Sequence, residues 1–492
     1  MTFNMYKKPL KQKELIRRIV VYAAMVLAVG AIVTFVVFSI MGYRFDSGNG
    51  QIEQYALLQF SSSPSGANVT IDGKKLSTQT PNKSAVKAGK HEIKISRAGY
   101  ETWKKTINIK SGVLEWLNYA LLVPTKLTVE PVTSYAAINT TLASPNGRYM
   151  LVQGQASTTD FDLIDLSADA IKTVKLTIPA DIYTDSTTVG VVHTFQVYKW
   201  DDSSRYVLIK HTSNSKDEWL VLDTQDVKLT KNITQLFDFA ISNVEFSGSG
   251  GNILYILGSG DIRKLDLTAG TISHPLVSNV ASFSRYGSDV LTYISNGASG
   301  SNQQIIGLYR DGDEKSYTLR TITNTDNLPV NVATARYFNE DYVVISQGKK
   351  VDILSGSYPN TSSDNITSLK TLTTLTVGEN VQNLSFSPSG EYVLMQSGAL
   401  FSSYDLEYQS LTNSTISGDG TVAPIKWLND NYIWSDHNGN LTIREFDGAN
   451  IHTINPVQAG QSVTLTSNGR YLYSINKSST GYQLQRVRMT LP

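Results

Sequence analysis

Polar and apolar positions divide the chain into three textures. Residues 19–41, from Ile19 to Met41, read IVVYAAMVLAVGAIVTFVVFSIM without a charge, and Tyr22, Thr34 and Ser39 are their polar members. Twenty-three helical residues at about 1.5 Å each reach roughly 34 Å, enough for a hydrocarbon core of about 30 Å. From Tyr55 the pattern changes to short alternating runs between turn residues, the period of half-buried strands. Asp72 and Gly73 follow the run Asn68, Val69, Thr70, Ile71 and predict a hairpin, because both tolerate positive φ. His91 to Ile95 sets Ile93 and Ile95 on one face, Trp103 to Ile109 follows, and residues 113–123 supply a last apolar strand.

From Lys126 onward the pattern repeats. An apolar or aromatic residue, a polar turn and a β-rich run recur at 143–147 (ASPNG) before Arg148 and Tyr149, at 386–390 (FSPSG) before Glu391 and Tyr392, and at 465–469 (LTSNG) before Arg470 and Tyr471. Looser copies start at Trp200, Phe246, Phe283, Phe338 and Trp427. A second mark, a strand ending in an Asp turn, follows at Asp165, Asp223, Asp266 and Asp405, and with a shift at Asp311 and Asp447. Four strands per 40–50 residues is about the period of a propeller blade. Seven full units and a shorter eighth, ending in residues 483–490, favour eight blades over seven. The missing outer strand is expected from residues 126–132 (KLTVEPV), which would close the ring and remove its free edges. The irregular unit near 283–330 keeps seven blades as the alternative.

The flanks of the apolar span set its direction. Lys7, Lys8, Lys11, Lys13, Arg17 and Arg18 precede it with Glu14 the sole acid, whereas beyond it Arg44 is met by Asp46. Positive-inside bias puts the N-terminus in the cytoplasm and the remaining domains outside. The expected order is a basic cytoplasmic tail (1–18), a transmembrane helix (19–41), a polar stalk (42–55), a small β domain (56–123) and a β-propeller (126–492). In the stalk, Tyr43 and Phe45 suit the headgroup level. A cleavable signal peptide is the rival, but its apolar core is normally about 7–15 residues, and the small-residue site at Ala28, Val29 and Gly30 falls in mid-span.

The small domain resembles a known family. Pro64, Ser65, Gly66 and Ala67, then Val69, Ile71, Asp72, Gly73 and Lys74, then Thr80 and Pro81, then Ala88 to His91 with Ile93, then Ala98, Gly99 and Tyr100, are similar to the motifs of PEGA domains over residues 56–123. Ser65 stands where the family's Pro-Glu-Gly-Ala turn carries Glu. The resemblance implies a small β-sandwich of prokaryotic surface proteins, without catalytic residues, and it implies cell-wall contact. Tyr100 and Trp103 are the candidate glycan-stacking pair, with core packing as their other reading. The repeats resemble the WD-like repeats of bacterial propellers over 126–492, without a recurring Gly-His and Trp-Asp signature.

Composition narrows the function classes. Lys and Arg number 43 against 42 Asp and Glu, a net charge of +1, so no global electrostatic case exists for nucleic-acid binding. The chain has no Cys, which excludes disulfides, thiolate catalysis and Cys-type metal sites. His91, His193, His211, His274, His437 and His452 are scattered without metal-ligand spacing. Nucleophile-elbow, zinc-protease and phosphate-loop motifs are missing. No catalytic residue, metal ligand or cofactor is therefore assigned. Asp311 to Glu314 and Asp436 to Asn440 read as hairpin turns, and the recurring Asp residues as caps of backbone N–H groups. Asn68, Asn232 and Asn440 head chance Asn-x-Ser/Thr triplets. Polar stretches at 177–190 and 356–370 read as insertions inside blades, either recognition loops or tolerated surface turns.

The expected protein is a non-catalytic, single-pass membrane protein of the bacterial cell envelope. Its partners are the membrane, through residues 19–41, and an envelope protein or cell-wall glycan bound by the propeller. The alternatives are an envelope hydrolase with a site at the propeller axis and glycan attachment through the PEGA-like domain. The anchor predicts retention in the membrane fraction after carbonate washing, with the N-terminus intact; a mature chain beginning near Ala31 would overturn it.

Overall fold

The charge-free run from Ile19 lies in the helix Gln12–Ile40, whose first turns carry Lys13, Glu14, Arg17 and Arg18, in a computed structural model that describes residues 12–46, 50–297, 301–358, 369–418 and 420–491. Its stretch Leu15–Ile40 is 26 residues long and solvent-exposed throughout. This is the form of a single-pass anchor or a signal sequence. The Thr34 hydroxyl donates to the Gly30 carbonyl at 2.8 Å, which keeps its polar group satisfied within the helix. Lys7, Lys8 and Lys11 lie outside the described residues. The chain forms two compact units, Met1–Thr125 and Lys126–Pro492.

The expected stalk is a hairpin. Tyr43–Asp46 pairs antiparallel with the start of the long strand Gln51–Ser63, and residues 47–49 lie outside the described residues. Polar composition hides the alternation that makes these strands. Gly42 turns the chain at φ +83°, where a Cβ would stand 2.5 Å from the Tyr55 carbonyl oxygen. The Tyr55 amide donates to Gly42 O and Gln54 Nε2 donates to Met41 O, both at 2.9 Å. The sheet is thereby bonded to the end of the helix.

The rest of the first unit is a two-sheet sandwich. One sheet joins Gln51–Ser63 to Asn82–Lys87 and, in parallel, to Leu114–Leu121. The other runs in the order Lys74–Gln79, Asn68–Ile71, Gly89–Ser96, Trp103–Ile109. Leu58, Phe60, Val69, Ile93 and Ile95 are sealed between them. The Asp72–Gly73 turn has φ of +48° and +80°, as a type I′ hairpin requires. Asp72 also accepts from the Glu92 amide at 2.9 Å and pairs with His91 Nδ1 at 2.6 Å. Thr80 accepts from the Ala67 amide at 3.0 Å and bonds the Ser62 hydroxyl at 2.6 Å. Motif positions far apart in sequence thus hold one another.

The second unit contains, among the described residues, eight four-stranded antiparallel sheets. Strands A to D of each follow one another in sequence over residues 140–177, 193–232, 243–272, 280–323, 330–376, 383–415 and 426–456. The eighth takes A to C from Thr464–Leu465, Tyr471–Ser478 and Gly481–Arg488, and D from Val129–Tyr135. Strands A of neighbouring sheets approach one another, so they line an axis. Apolar clusters weld neighbouring sheets: Leu151 and Phe161 with Val207 and Leu220, Leu208 with Val244, Tyr255 with Leu291, Ile306 with Val343, Val344 with Val393, and Leu394 with Ile433. The seventh and eighth meet through Asn455 Nδ2, which donates to Ser474 Oγ at 3.0 Å. Sheets eight and one share Met150, Ile164, Tyr473 and Leu484. Gln461 Nε2 donates to Asn139 O at 3.3 Å, and the Ser462 amide to Thr141 Oγ1 at 2.7 Å. The ring is closed, and the architecture is a β-propeller.

Several details differ from the sequence reading. The closing strand begins at Val129 instead of Lys126 and continues to Tyr135, with an irregularity opposite Leu484 and Gln485 around Pro131. Proline is tolerated there because this is an outer strand and its N–H is not needed by a further neighbour. Phe283 lies within strand Val280–Tyr286, and Phe338 is itself a turn residue at φ +51°. The stretch 177–190 lies between sheets one and two, not inside a blade, because Thr177 ends one sheet and His193 begins the next. The stretch 356–370 does interrupt sheet five, and 359–368 lie outside the described residues.

Leu484 is fully buried where the first and last sheets meet. Leu484→Ala is expected to cost about 2–5 kcal/mol of ring stability, read by urea unfolding with tryptophan fluorescence. A loss below about 1 kcal/mol would show that this seam does not hold the ring.

Candidate functional site

In the small domain Tyr100 is 6% and Trp103 1% exposed. These rings are core residues and offer a sugar no open face, which corrects the stacking-platform reading. Strand alternation placed Trp103 inward beside Ile95, its cross-strand partner, and an aromatic side chain gains most by burial there.

On the ring, the A–B and C–D turns share one face, and the B–C turns and D–A connections share the other. The repeated turn phrase builds the first face. Arg148 reaches Asp165 at 2.9 Å, and Arg205 grips Asp223 with bonds of 3.0 and 2.6 Å. Each guanidinium also lies 4.9 Å from the centroid of the following ring, Tyr149 or Tyr206. The Asp residues cap their turns as expected: Asp266 accepts from the amides of Thr268 and Ala269, and Asp405 from those of Glu407 and Tyr408. Burial pushes the Asp223 carboxyl up, but Arg205 and the amides of Gln225 and Asp226 outweigh it and hold it below the usual carboxylate range.

Sheet six breaks this rule. Glu391 occupies the position of Arg148 and Arg205, so an acid faces the Asp turn. Burial pushes its carboxyl up to about 7; Tyr392 opposes the rise, and the charges of Asp405, Glu407 and Asp430 add to it. Tyr337 donates its hydroxyl to Glu407 at 2.7 Å, and Phe338 beside it is 77% exposed. The sequence signal was available, since 386–392 (FSPSGEY) carries Glu where 143–149 (ASPNGRY) carries Arg.

The opposite face carries the connection 178–192. His193, His211 and Glu218 stand on adjacent strands A, B and C of sheet two. His193 Nδ1 lies 2.9 Å from His211 Nε2, and His211 Nδ1 2.9 Å from Glu218 Oε2. His211 is fully buried and its ring stacks on Phe195 at 4.7 Å. The connection docks onto this row. The Thr184 amide donates to Glu218 Oε2 at 3.0 Å, its hydroxyl donates to Oε1, and Gln235 Nε2 donates to Oε1 at 2.9 Å. Tyr183 packs edge-on against His193, Phe195 and His211. Burial raises the Glu218 carboxyl, but bonds from His211, Thr184 and Gln235 outweigh it and bring it down to about 2. The base of this strap is fixed. Its far part is open: Val189 is 99% and Val192 75% exposed. Sequence spacing gave no hint of the histidine pair, because pairing of strands A and B brings the two together.

The axis holds a hollow of about 200 Å³ walled by strands of sheets four to six, with Ser282, Ser284, Thr292, Asn331 and Leu384 in its lining. No ionisable carboxylate, histidine, lysine or arginine lines it. Among the described residues no group of three His, Cys, Asp or Glu side chains is arranged to hold a metal.

The family model of the PEGA domain matches residues 56–123. No curated protein sequence matches the chain. Solved structures similar to it include Kluyveromyces lactis Hsv2, at 11% identity over 72% of this chain and 99% of that one, with a TM-score of 0.37. An oligogalacturonate lyase in complex with manganese is 11% identical over 75% and 98%, with a TM-score of 0.38. The Cps50 (Swd1) β-propeller domain of Myceliophteria thermophila is 9% identical over 74% and 100%, with a TM-score of 0.38. Likenesses at this level carry no activity across.

Glu391 gives the ring a pH dependence. Burial pushes its folded carboxyl up to about 7, above the ordinary glutamate value of 4.5, so the folded state holds the proton more tightly. Stability from this group is full below the unfolded value and falls as pH rises from about 4.5 to about 7. Glu391→Gln is expected to flatten that fall and to raise the thermal midpoint at pH 8 relative to pH 5. An unchanged pH profile would remove Glu391 as its source.

Proposed function

We propose that the chain is a membrane-anchored binding protein of the bacterial cell envelope. The apolar helix holds it in the membrane with the basic tail in the cytoplasm. The PEGA module and the propeller stand outside, and the ring binds a protein or glycan partner. A ring whose sheets are welded to their neighbours is a rigid platform, and loops on rigid platforms are suited to recognition.

The strap 178–192 carries this reading. A loop that merely bridges two sheets has no need of a buried carboxylate at its base. Here Glu218 spends its hydrogen bonds on Thr184, Gln235 and His211, while Val189 and Val192 project into solvent. An ordered base with an open apolar tip lowers the ordering cost of a partner's contact. Glycan attachment through Tyr100 and Trp103 loses its basis with their burial.

The test is capture of a defined partner from envelope extract by the full chain in detergent, without its consumption. Val189→Asp with Val192→Asp is expected to weaken capture by about tenfold or more, the cost of a charge in an apolar contact. Glu218→Ala, which frees the strap, should weaken it as well. Turnover of a glycoside or peptide panel by the parent chain would defeat the reading.

A further inference from the structure

The strand Gln51–Ser63 has one face that is core from Ala56 onward: Ala56, Leu58 and Phe60 are at most 2% exposed. By alternation the same face continues backward through Gln54 to Ile52. There the second sheet of the sandwich no longer covers it. Ile52 pairs in register with Phe45, and the two side chains are 70% and 69% exposed. The opposite face of this hairpin is satisfied. The Arg44 guanidinium lies 6.0 Å from the Tyr55 ring centroid, and Glu53 meets Lys87 at 2.8 Å. An apolar pair is thus left bare on one face only.

Its position says what covers it. Only Met41 and Gly42 separate the hairpin from the apolar helix, and its second strand is bonded back to that turn through both of them. The Tyr43 ring packs edge-on against Phe38 of the helix at 5.1 Å. Phe45 lies two residues past Tyr43, about 7 Å along a strand. The headgroup layer on each side of a bilayer is of about that thickness.

We propose that Phe45 and Ile52 insert into the membrane interface, where lipid completes the apolar face that the sandwich leaves uncovered. The hairpin is then a second contact with the bilayer, beside the helix. It fixes the height of the PEGA module at the surface, where a flexible stalk would let it swing. Tyr43 joins it as an interfacial aromatic, with its ring on the helix and its hydroxyl free to reach the headgroups. This inference rests on the helix being a retained anchor.

The absence of Cys makes the test clean. Single Ile52→Cys and Phe45→Cys variants of the full chain are spin-labelled and reconstituted in phosphatidylcholine–phosphatidylglycerol vesicles. Val29→Cys reports the span and Lys75→Cys, exposed on the sandwich, reports water. Collision with oxygen relative to a nickel chelate is expected to be about threefold or more higher at both hairpin sites than at Lys75→Cys. Hairpin labels as open to nickel as Lys75→Cys, with Val29→Cys protected, would overturn the inference alone. Nickel access at Val29→Cys would overturn the anchor and the inference together.

Discussion

The propeller depends on one pairing, strand Val129–Tyr135 against Gly481–Arg488. Glu130 and Arg486 are separated by 356 positions and meet at 2.8 Å. Without this strand, sheet eight would have three strands, and the seam with sheet one would lose Val132 and Tyr135, which pack against its cluster. No disulfide reinforces the ring, since the chain has no Cys. Closure rests on ladder hydrogen bonds, on the cluster of Met150, Ile164, Tyr473 and Leu484, and on amide contacts such as Gln461 with Asn139. The entropic cost of closing so long a loop rises only with the logarithm of its length. A well-packed seam therefore offsets it about as readily as a shorter closure.

Rigidity at the seams lets the two faces differ. On one face the Arg–Asp pairs of sheets one and two tie turn to turn, and each Asp also caps its own backbone. In sheet six Glu391 stands in place of that Arg, and burial, with the charges of Asp405, Glu407 and Asp430 added, raises its carboxyl where sheets one and two hold an attractive Arg–Asp pair. On the other face the same strand pairing sets His193, His211 and Glu218 in a row and gives the strap a polar anchor. These are local consequences of side-chain identity on a backbone that repeats.

At the other end of the chain, the helix and the small domain are joined by hydrogen bonds through Gly42, not by a loose linker. The sandwich inherits an orientation from the helix, and its first hairpin inherits the helix's neighbourhood. The inner face of one strand thus serves two apolar environments, the protein core from Ala56 onward and, as proposed, the lipid surface at Ile52.

Much of this was legible in the chain. The charge-free run, the Asp72–Gly73 hairpin, the PEGA motifs, the recurring turn phrase and a closing strand near residue 130 follow from period and turn chemistry, which are local. The exchange of Arg for Glu at position 391 was also visible, as a letter without a meaning. Tertiary structure decided the rest. Burial of Tyr100 and Trp103 depends on which strand face meets the second sheet. The hairpin at 43–54 depends on partners that polar residues do not announce. The assignment of 177–190 to a gap between sheets depends on where pairing stops. Residues at 184, 193, 211, 218 and 235 form one site because three paired strands and two connections converge there. Periodicity reports what each residue does relative to its neighbours in sequence, and these features are set by neighbours in space.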